Sequence, residues 1–285
     1  MNMKATTFAQ KITPLHVALF FLTLLSTLVA GMIQKGINPL SSPGKFYEGL
    51  PFALTLMGIL LSHELGHYVA SVKHHTLATL PYFIPAPSIF GTFGAFIKMK
   101  SPIQTRTALI DIGASGPIAG FVFSLIASIA GLMGSEVVKT TGTEGIVLGD
   151  SLLFTLLSKI IIGTPPAGYD IMLNSVAFAG WIGLFVTSLN LLPVGQLDGG
   201  HIAYAVTDIG HMWMSRIIVA ILACMGGLYW EGWLVWAFLM ILLGIHHPPV
   251  YFAEFPLHAS RKKVAVISLI IFIITFMPSP FILKD

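Results

Sequence analysis

Apolar runs long enough to cross a lipid bilayer recur along this sequence, and one of them, residues 51–72, contains three ionisable side chains. A membrane-spanning helix needs about 20 predominantly apolar residues. Hydrophobic residues make up 55% of the chain and charged residues only 9%, whereas a soluble domain has about 25% charged residues. The sequence therefore predicts an integral membrane protein, in which polar residues inside apolar runs are candidates for function.

Five runs are predicted to be membrane-spanning helices; they are residues 15–33, 51–72, 108–133, 171–193 and 264–277. Residues 216–247 are long enough for one helix or two short ones, and Gly226, Gly227 and Glu231 favour the bend of a hairpin because a single helix would bury Glu231 at mid-membrane. Residues 146–163 are expected to lie along the membrane surface. The predicted fold is an all-α polytopic membrane protein with about six or seven transmembrane helices.

A proline- and glycine-rich segment, residues 80–98, interrupts the helical pattern although it is apolar. Pro81, Pro85 and Pro87 are incompatible with a continuous helix. We expect a re-entrant or membrane-edge loop with a short strand in GTFGAFIKM, residues 91–99. Non-helical backbone at membrane depth requires cover by protein or by a wet cavity, so this β-like loop is expected to pack on the helices.

The lysines and arginines are unequally divided between the two sides of the membrane. On the N-terminal side lie ten of them, Lys4, Lys11, Lys73, Lys98, Lys100, Arg106, Arg216, Arg261, Lys262 and Lys263. On the opposite side lie five, Lys35, Lys45, Lys139, Lys159 and Lys284. The positive-inside rule then predicts a cytoplasmic N-terminus. We expect a multi-pass protein of a prokaryotic cell membrane, although the sequence does not separate this from an organelle membrane.

The ionisable residues of the second run form the pattern HELGH, with His63 and His67 four positions apart and Glu64 beside the first histidine. On a helix the two imidazoles share one face and can bind one zinc ion, while the glutamate can take the proton of a metal-bound water. Three such side chains are costly in a lipid-spanning helix. This cost favours a zinc site over a set of hydrogen bonds between helices.

A third ligand is needed, because catalytic zinc sites have three protein ligands and one open position. In the predicted topology His67 lies about 8 Å below the inner end of its helix. Asp198 follows the inner end of the fourth run and Asp111 lies just inside the inner start of the third, whereas Glu231 is on the far side. The glycines and the proline around Asp198 allow its backbone to approach a metal, so Asp198 is favoured and Asp111 remains the alternative.

Three stretches of the sequence resemble the site-2 protease family of intramembrane zinc metalloproteases. HELGH resembles the zinc-binding helix of the family, NLLPVGQLDGG its second motif, and SGPIAG, with Gly116 and Gly120, a glycine motif between the two. One departure is Gln196, where many members have a second proline. The chain also looks like a member without a PDZ domain, since no segment between its apolar runs is long enough for one.

The resemblance implies that His63, His67 and Asp198 bind one zinc ion per chain and that Glu64 is the catalytic base. It implies that Asn190 lies near the site and polarises the scissile carbonyl. The implied function is hydrolysis of peptide bonds in transmembrane segments of membrane-protein substrates. Because such a segment must unwind before cleavage, we expect it to pair with a strand edge of the β-like loop. The residues expected to bind it are Gly91, Thr92, Phe93, Gly94 and Ala95.

The predicted organisation has three parts: an N-terminal span with its connecting loop in residues 1–50, a catalytic membrane core in residues 51–201, and C-terminal membrane helices in residues 202–285. A membrane zinc transporter or sensor is the alternative function, and a catalytically inactive scaffold for transmembrane helices is a third. The expected partners are a transmembrane protein substrate and the lipid bilayer. No basic tract indicates nucleic acid, and the oligomeric state is not indicated.

Overall fold

The computed structural model describes residues 11–139, 145–207, 211–252 and 256–284, so Lys4 lies outside the described residues. Its α-helices, in chain order from α1 to α9, are Pro14–Gln34, Leu50–Lys73, Arg106–Leu132, Leu152–Ile161, Ser175–Asn190, Asp198–Thr207, His211–Leu228, Gly232–Leu243 and Ala259–Thr275. A short 3₁₀ helix, Pro43–Gly49, leads into α2. The chain is therefore mostly helical, as predicted.

Six short strands accompany the helices. From β1 to β6 they are Tyr82–Pro85, Thr92–Phe96, Glu136–Lys139, Gly145–Leu148, Tyr169–Met172 and Phe281–Lys284. They form three antiparallel pairs, β1 with β2, β3 with β5, and β4 with β6. The strand expected in residues 91–99 is present as β2. The other two pairs were not predicted, because strands of four residues carry too short a pattern to be distinguished from loops.

Four described helical segments are long and apolar enough to cross a membrane: α1, α2 together with its preceding 3₁₀ turn, α3 and α7. The predicted spans in residues 15–33, 51–72 and 108–133 are therefore confirmed as long apolar helices. The predicted span in residues 171–193 is partly wrong. Its first residues belong to β5, which pairs with β3, and the side chain of Asn174 accepts a hydrogen bond from the amide of Ala177 to start α5 at Ser175.

The segment between residues 216 and 247 forms a hairpin of two helices, α7 and α8, with Glu231 at the turn. This confirms the hairpin interpretation. In residues 146–163 the helix α4 has ten residues, about 15 Å, which is too short to cross a bilayer. The side chain of Ser151 caps its start by accepting a hydrogen bond from the amide of Phe154 at 3.2 Å.

Close packing of α2, α3 and α5 forms the centre of the molecule. Phe52 of α2 and Trp181 of α5 are fully buried there. A Cβ atom added at Gly131 of α3 would collide with the backbone of Ala177, and one added at Gly180 of α5 would collide with Ser128. These backbone approaches bring α5 against α3, so that the chain leaving α5 returns beside α2.

The helix α6 is fixed to α3 through an arginine. The guanidinium group of Arg106 donates to the carbonyl oxygens of Ala205 and Val206 at 2.7 and 3.2 Å. These carbonyls belong to the last turn of α6, where they have no partner within the helix. The cation thereby ties the C-terminal end of α6 to the start of α3, and the opposite end of α6 begins with Asp198.

Candidate metal centre

Two histidines project from one face of α2 into the centre of the molecule. His63 and His67 are 5% and 7% exposed, and their Nε2 atoms lie 3.0 Å apart. The i, i+4 spacing on a helix produces this pairing. Two buried imidazoles this close together indicate that both bind one cation, rather than that each contacts solvent.

Asp198 reaches both histidines from the first residue of α6. One carboxylate oxygen lies 3.3 Å from His63 Nε2 and the other lies 3.3 Å from His67 Nε2. Zinc–nitrogen bonds of about 2.0–2.1 Å in a tetrahedral site place neighbouring ligand atoms about 3.3 Å apart. The three side chains therefore fit one divalent cation, and they are the metal-ligating group found among the described residues.

Asp111, the alternative third ligand, is engaged elsewhere. Its two carboxylate oxygens accept from the guanidinium group of Arg261 at 3.0 and 2.7 Å, and His74 lies 2.8 Å from the second oxygen. These contacts join α3, α9 and the residue that ends α2. The structure thus brings Asp198, and not Asp111, to the histidines. The partner of His74, the residue that follows α2, is Asp111.

The orientation of His67 is set by a backbone carbonyl of α3. Its Nδ1–H donates to the carbonyl oxygen of Ile112 at 2.7 Å. Since a carbonyl only accepts, this bond fixes the proton on Nδ1 and leaves the lone pair of Nε2 directed at Asp198. A partner of this kind is typical of histidines that bind metals.

The glycine motif of α3 provides the space for both imidazoles. A Cβ atom at Gly116 would collide with the ring of His67, and one at Gly120 would lie 3.0 Å from Nδ1 of His63. On the adjoining face, a Cβ at Gly66 would lie 2.5 Å from the carbonyl oxygen of Ser115. The sequence SGPIAG therefore allows the metal-ligating face of α2 to pack directly on the backbone of α3.

Glu64 is buried beside the metal-ligating group without belonging to it. It is 6% exposed, and its carboxylate interacts with the backbone amide of Ile97, immediately after β2. Its place beside His63 puts a proton acceptor next to the cation position. A carboxylate in this place can accept the proton of a water held at the open metal position.

Asn190 also reaches the site, from the last residue of α5. Its side-chain amide nitrogen lies 3.3 Å from Nε2 of His63. The loop that follows brings the chain from Asn190 to Asp198 in eight residues, with a turn at Gly195, where φ is +54°. Gln196 is exposed in this loop, so its departure from the family motif does not displace Asp198 from the histidines.

The hairpin of β1 and β2 lies against α1 and the end of α2. The hydroxyl of Ser26 in α1 donates to the carbonyl oxygen of Gly91 at 2.5 Å, and Gly91 and Gly94 have φ values of +75° and +101°. The side chain of Thr92 donates to the carbonyl oxygen of Ile84 at 2.8 Å. The hairpin is thus held by α1 on one side and ends beside Glu64 on the other.

One edge of β2 is unpaired within its two-stranded sheet. Just beyond the two strands, the carbonyl oxygen of Lys98 accepts from the amide of Thr79 at 2.9 Å, so the backbone of Lys98 faces the chain that leads into β1. In an antiparallel ladder successive residues direct their backbone groups to opposite sides, so Ala95 and Ile97 direct theirs away from β1. This agrees with the contact between Ile97 and Glu64.

All site residues expected from the motifs, His63, Glu64, His67, Asn190 and Asp198, are brought together. Sequence reasoning missed the carbonyl of Ile112 and the amide of Ile97, because backbone groups carry no side-chain signal. It also missed the contact of His201 with His247 across 46 positions. Nothing in the sequence pairs two residues so far apart.

Comparison with known proteins agrees with these motifs. The sequence model of peptidase family M50 matches residues 51–229, more than half of the chain. The chain is 30% identical over 237 residues to "Probable zinc metalloprotease EGY1, chloroplastic" of Arabidopsis thaliana, covering 80% of this chain and 43% of that protein. It is 31% identical over 244 residues to "Probable zinc metalloprotease EGY2, chloroplastic" of the same plant, covering 82% and 42%.

The chain thus spans less than half the length of these curated relatives. No solved structure matches it. The matched residues 51–229 contain HELGH, the glycine motif and Asp198. On this match, the chain belongs to peptidase family M50, the site-2 protease family of zinc metalloproteases.

Proposed function

We propose that this protein is an intramembrane zinc metalloprotease that hydrolyses peptide bonds in transmembrane segments of other membrane proteins. One observation carries the proposal: two buried histidines on α2, which is apolar enough to cross a membrane, meet the half-buried carboxylate of Asp198, and the buried carboxylate of Glu64 lies beside them. A group with this polarity is costly in lipid unless it has a function. Its position favours substrates that lie in the membrane.

The proposed roles follow from the contacts of each residue. His63, His67 and Asp198 would hold the zinc ion, which when bound would polarise the peptide carbonyl and acidify water. Glu64 accepts the proton of the attacking water and returns it to the amine nitrogen as the carbon–nitrogen bond breaks. The amide of Asn190 donates a hydrogen bond to the carbonyl oxygen as negative charge develops there.

We propose that the substrate is bound as an added strand along the unpaired edge of β2. The backbone groups of Ala95 and Ile97 face away from β1, and Ile97 contacts Glu64. A substrate strand paired at this edge would be held in an extended conformation as it passes the carboxylate of Glu64. The residues that form this surface are Gly91, Thr92, Phe93, Gly94 and Ala95. An extended substrate suits the chemistry because helical amides are engaged in internal hydrogen bonds.

Cleavage of a membrane-embedded segment can be tested with the purified protein in proteoliposomes. The substrate is a single-span model protein, and mass spectrometry of the products locates the broken bond. We expect cleavage within the apolar segment, loss of cleavage after zinc is removed with a chelator, and recovery after stoichiometric zinc is returned. Products cut only outside the apolar segment, or cleavage that persists after zinc removal, would contradict the proposal.

The strand-addition surface can be tested with a matched pair of substitutions at Ala95. Ala95→Pro removes the amide hydrogen that faces away from β1, whereas Ala95→Val adds similar bulk and keeps it. Proline is tolerated on an edge strand where the amide is not used by the sheet. We expect cleavage to fall about tenfold in the proline variant and to change little in the valine variant, with zinc content unchanged in both. Equal rates in the two variants would exclude pairing at Ala95.

We further propose an arrangement of about six or seven membrane helices, in which the shorter helices join the four long ones and the hairpin β1–β2 enters the membrane as a re-entrant loop. Residues 51–201 would form the catalytic core, preceded by residues 1–50 and followed by residues 202–285. We propose a prokaryotic cell membrane as the location, with the metal site toward the cytoplasm; the distribution of lysine and arginine supports this orientation. Labelling of cysteines introduced at Lys45 and Lys262 from either side of a vesicle would test the orientation.

A zinc transporter or sensor is less well supported than a protease. Transport needs several weak sites along a path, whereas the described residues hold one compact metal-ligating group. A proton acceptor beside the first histidine also has no obvious use in transport. Zinc flux into vesicles that contain the protein, in the absence of any cleavage, would favour the transporter.

A further inference from the structure

The metal-ligating carboxylate of Asp198 has no hydrogen-bond donor of its own besides the two imidazoles among the described residues. Its position therefore depends on the backbone at the start of α6. Carboxylate ligands are usually oriented by outer hydrogen bonds, and the loss of such a partner typically weakens metal binding 10–100-fold. Contacts that fix the first turn of α6 would therefore also fix this carboxylate.

A histidine pair fixes this turn from outside. His201 lies on α6 one turn after Asp198, and its Nδ1 is 2.7 Å from Nε2 of His247, in the segment between α8 and α9. The ring of His247 also stacks on Tyr204 of α6, with ring centroids 4.2 Å apart and an interplanar angle of 19°. His247 thus contacts α6 through an edge and a face of its ring.

The direction of the histidine–histidine hydrogen bond follows from the second nitrogen of His247. Its Nδ1 lies 2.6 Å from the carbonyl oxygen of Pro248, which can only accept, so this nitrogen carries the proton. Burial lowers the pKa of His247 to about 4, and the ring is neutral at pH 7. Its Nε2 is therefore a lone pair, and Nδ1–H of His201 donates to it.

The contact is a hydrogen bond and not half of another metal site. A separation of 2.7 Å between two nitrogens is shorter than the spacing of about 3.3 Å between two ligands of one tetrahedral zinc ion. The one metal-ligating group among the described residues is His63, His67 and Asp198. The remaining nitrogen of His247 is hydrogen-bonded to the carbonyl oxygen of Pro248. The pair therefore serves to hold α6 in place.

The segment that carries His247 is itself anchored on both sides. At its start, a Cβ atom on Gly195 of the Asp198 loop would collide with the carbonyl oxygen of Gly244. At its end, the amide of Phe252 donates to the carbonyl oxygen of Gln104 at 3.0 Å, just before α3. Between them Val250 is buried in the same apolar cluster as Ala205 of α6. The segment therefore offers a firm support against which His201 can be held.

We propose that His247 is a positioning residue for the metal ligand Asp198: by accepting a hydrogen bond from His201 it holds the first turn of α6 where the carboxylate meets His63 and His67. This proposal rests on the assignment of Asp198 as a zinc ligand. It assigns a role in the metal site to the segment between α8 and α9, outside the residues that carry the zinc motifs.

The test measures zinc affinity, by competition with a chromophoric chelator, on the full-length protein in detergent. His247→Phe keeps an aromatic ring to stack on Tyr204 but has no acceptor, and we expect it to weaken zinc binding 10–100-fold. His247→Gln offers its side-chain oxygen near the place of Nε2, and we expect affinity within about threefold of wild type. His246→Phe, at the exposed neighbouring residue, is the matched control and should bind zinc as wild type does.

Two further measurements separate positioning from general stabilisation. The thermal midpoint of the zinc-free protein should be similar in His247→Phe and His247→Gln, and adding His201→Ala to His247→Phe should cause no further loss of zinc affinity. If His247→Phe binds zinc as tightly as wild type, or if His247→Gln is as weak as His247→Phe, the proposal is wrong. Should His247→Phe fail to fold, His201→Asn, which keeps a donor, is compared with His201→Ala. If the two variants bind zinc equally tightly, the proposal is wrong.

Failure of this proposal differs from failure of the ligand assignment. If Asp198→Asn itself leaves zinc affinity unchanged, Asp198 is not a ligand and the histidine pair has nothing to position. If Asp198→Asn weakens zinc binding and the His247 variants do not, the ligand assignment stands and the positioning role falls.

Discussion

Glu64→Gln is expected to abolish cleavage of a membrane-embedded substrate while zinc remains bound at one ion per chain. Glutamine has nearly the shape of glutamate and its side-chain oxygen can still accept from the amide of Ile97, the contact that the carboxylate makes. It cannot accept the proton of the attacking water. A general base contributes about 10²–10⁴-fold to rate, so the residual activity should be near the detection limit. A cleavage assay in proteoliposomes measures the loss of activity, and atomic spectroscopy measures the zinc that remains bound.

The matched control for this variant is Glu48→Gln. Glu48 precedes α2 and pairs with Lys35 at 2.7 Å on the surface, with side chains that are 31% and 37% exposed. Its replacement removes the same charge from the same chain without touching the metal site. We expect wild-type cleavage from this control. Substantial cleavage by Glu64→Gln would show that another group accepts the proton, and loss of zinc from it would place Glu64 among the ligands.

The second large effect is expected from Asp198→Asn, compared with Asp111→Asn. The amide lacks the negative charge that a zinc ligand of this kind supplies, so zinc affinity should fall by about 10²-fold, in proportion to the loss of one ligand's share of the binding free energy. Asp111 contacts no member of the metal-ligating group. Its bonds to Arg261 and His74 join three helices, so Asp111→Asn should keep zinc.

The two variants should also differ in stability. Asp111→Asn weakens an ion pair whose arginine side chain is 31% exposed, and after allowance for solvent the expected loss is about 1 kcal/mol, or a few degrees in the thermal midpoint. Asp198→Asn should lower the midpoint only in the presence of zinc, since it removes stabilisation by the bound ion. If instead Asp111→Asn releases zinc and Asp198→Asn retains it, the order of the two candidates is reversed.

Most of the metal site could be predicted from the sequence, because several of its residues lie close together in the chain and have side chains typical of zinc sites. HELGH specifies two imidazoles and a carboxylate through helical periodicity alone. Asp198 could be favoured over Asp111 but not separated from it, since both lie near the same predicted membrane face. The structure separates them through Arg261 and His74, two residues from α9 and the end of α2 whose approach to Asp111 no local pattern indicates.

The predicted fold was less complete where an element depends on a distant partner. Residues 171–193 were predicted to be one apolar span, but β5 forms because β3 lies beside it. Pairing between residues at least 30 positions apart leaves no periodic signal of its own. The hairpin of α7 and α8 could be predicted because a single helix would place the charged side chain of Glu231 at mid-membrane, which is energetically unfavourable. Local chemistry therefore predicted the helical hairpin but not the small sheets.

The packing of α2 on α3 restricts which helices can move to admit the substrate that we propose. The two imidazoles lie against Gly116 and Gly120, and His67 is bonded to the carbonyl of Ile112. Separating α2 from α3 would break that bond and draw both imidazoles away from Asp198, whose helix α6 is tied to α3 by Arg106. We therefore expect α2 and α3 to move together during turnover. The membrane substrate that we propose must then be admitted by movement of other helices. Crosslinks designed to trap an open form should therefore be placed at α1 or at the C-terminal helices, and not between α2 and α3.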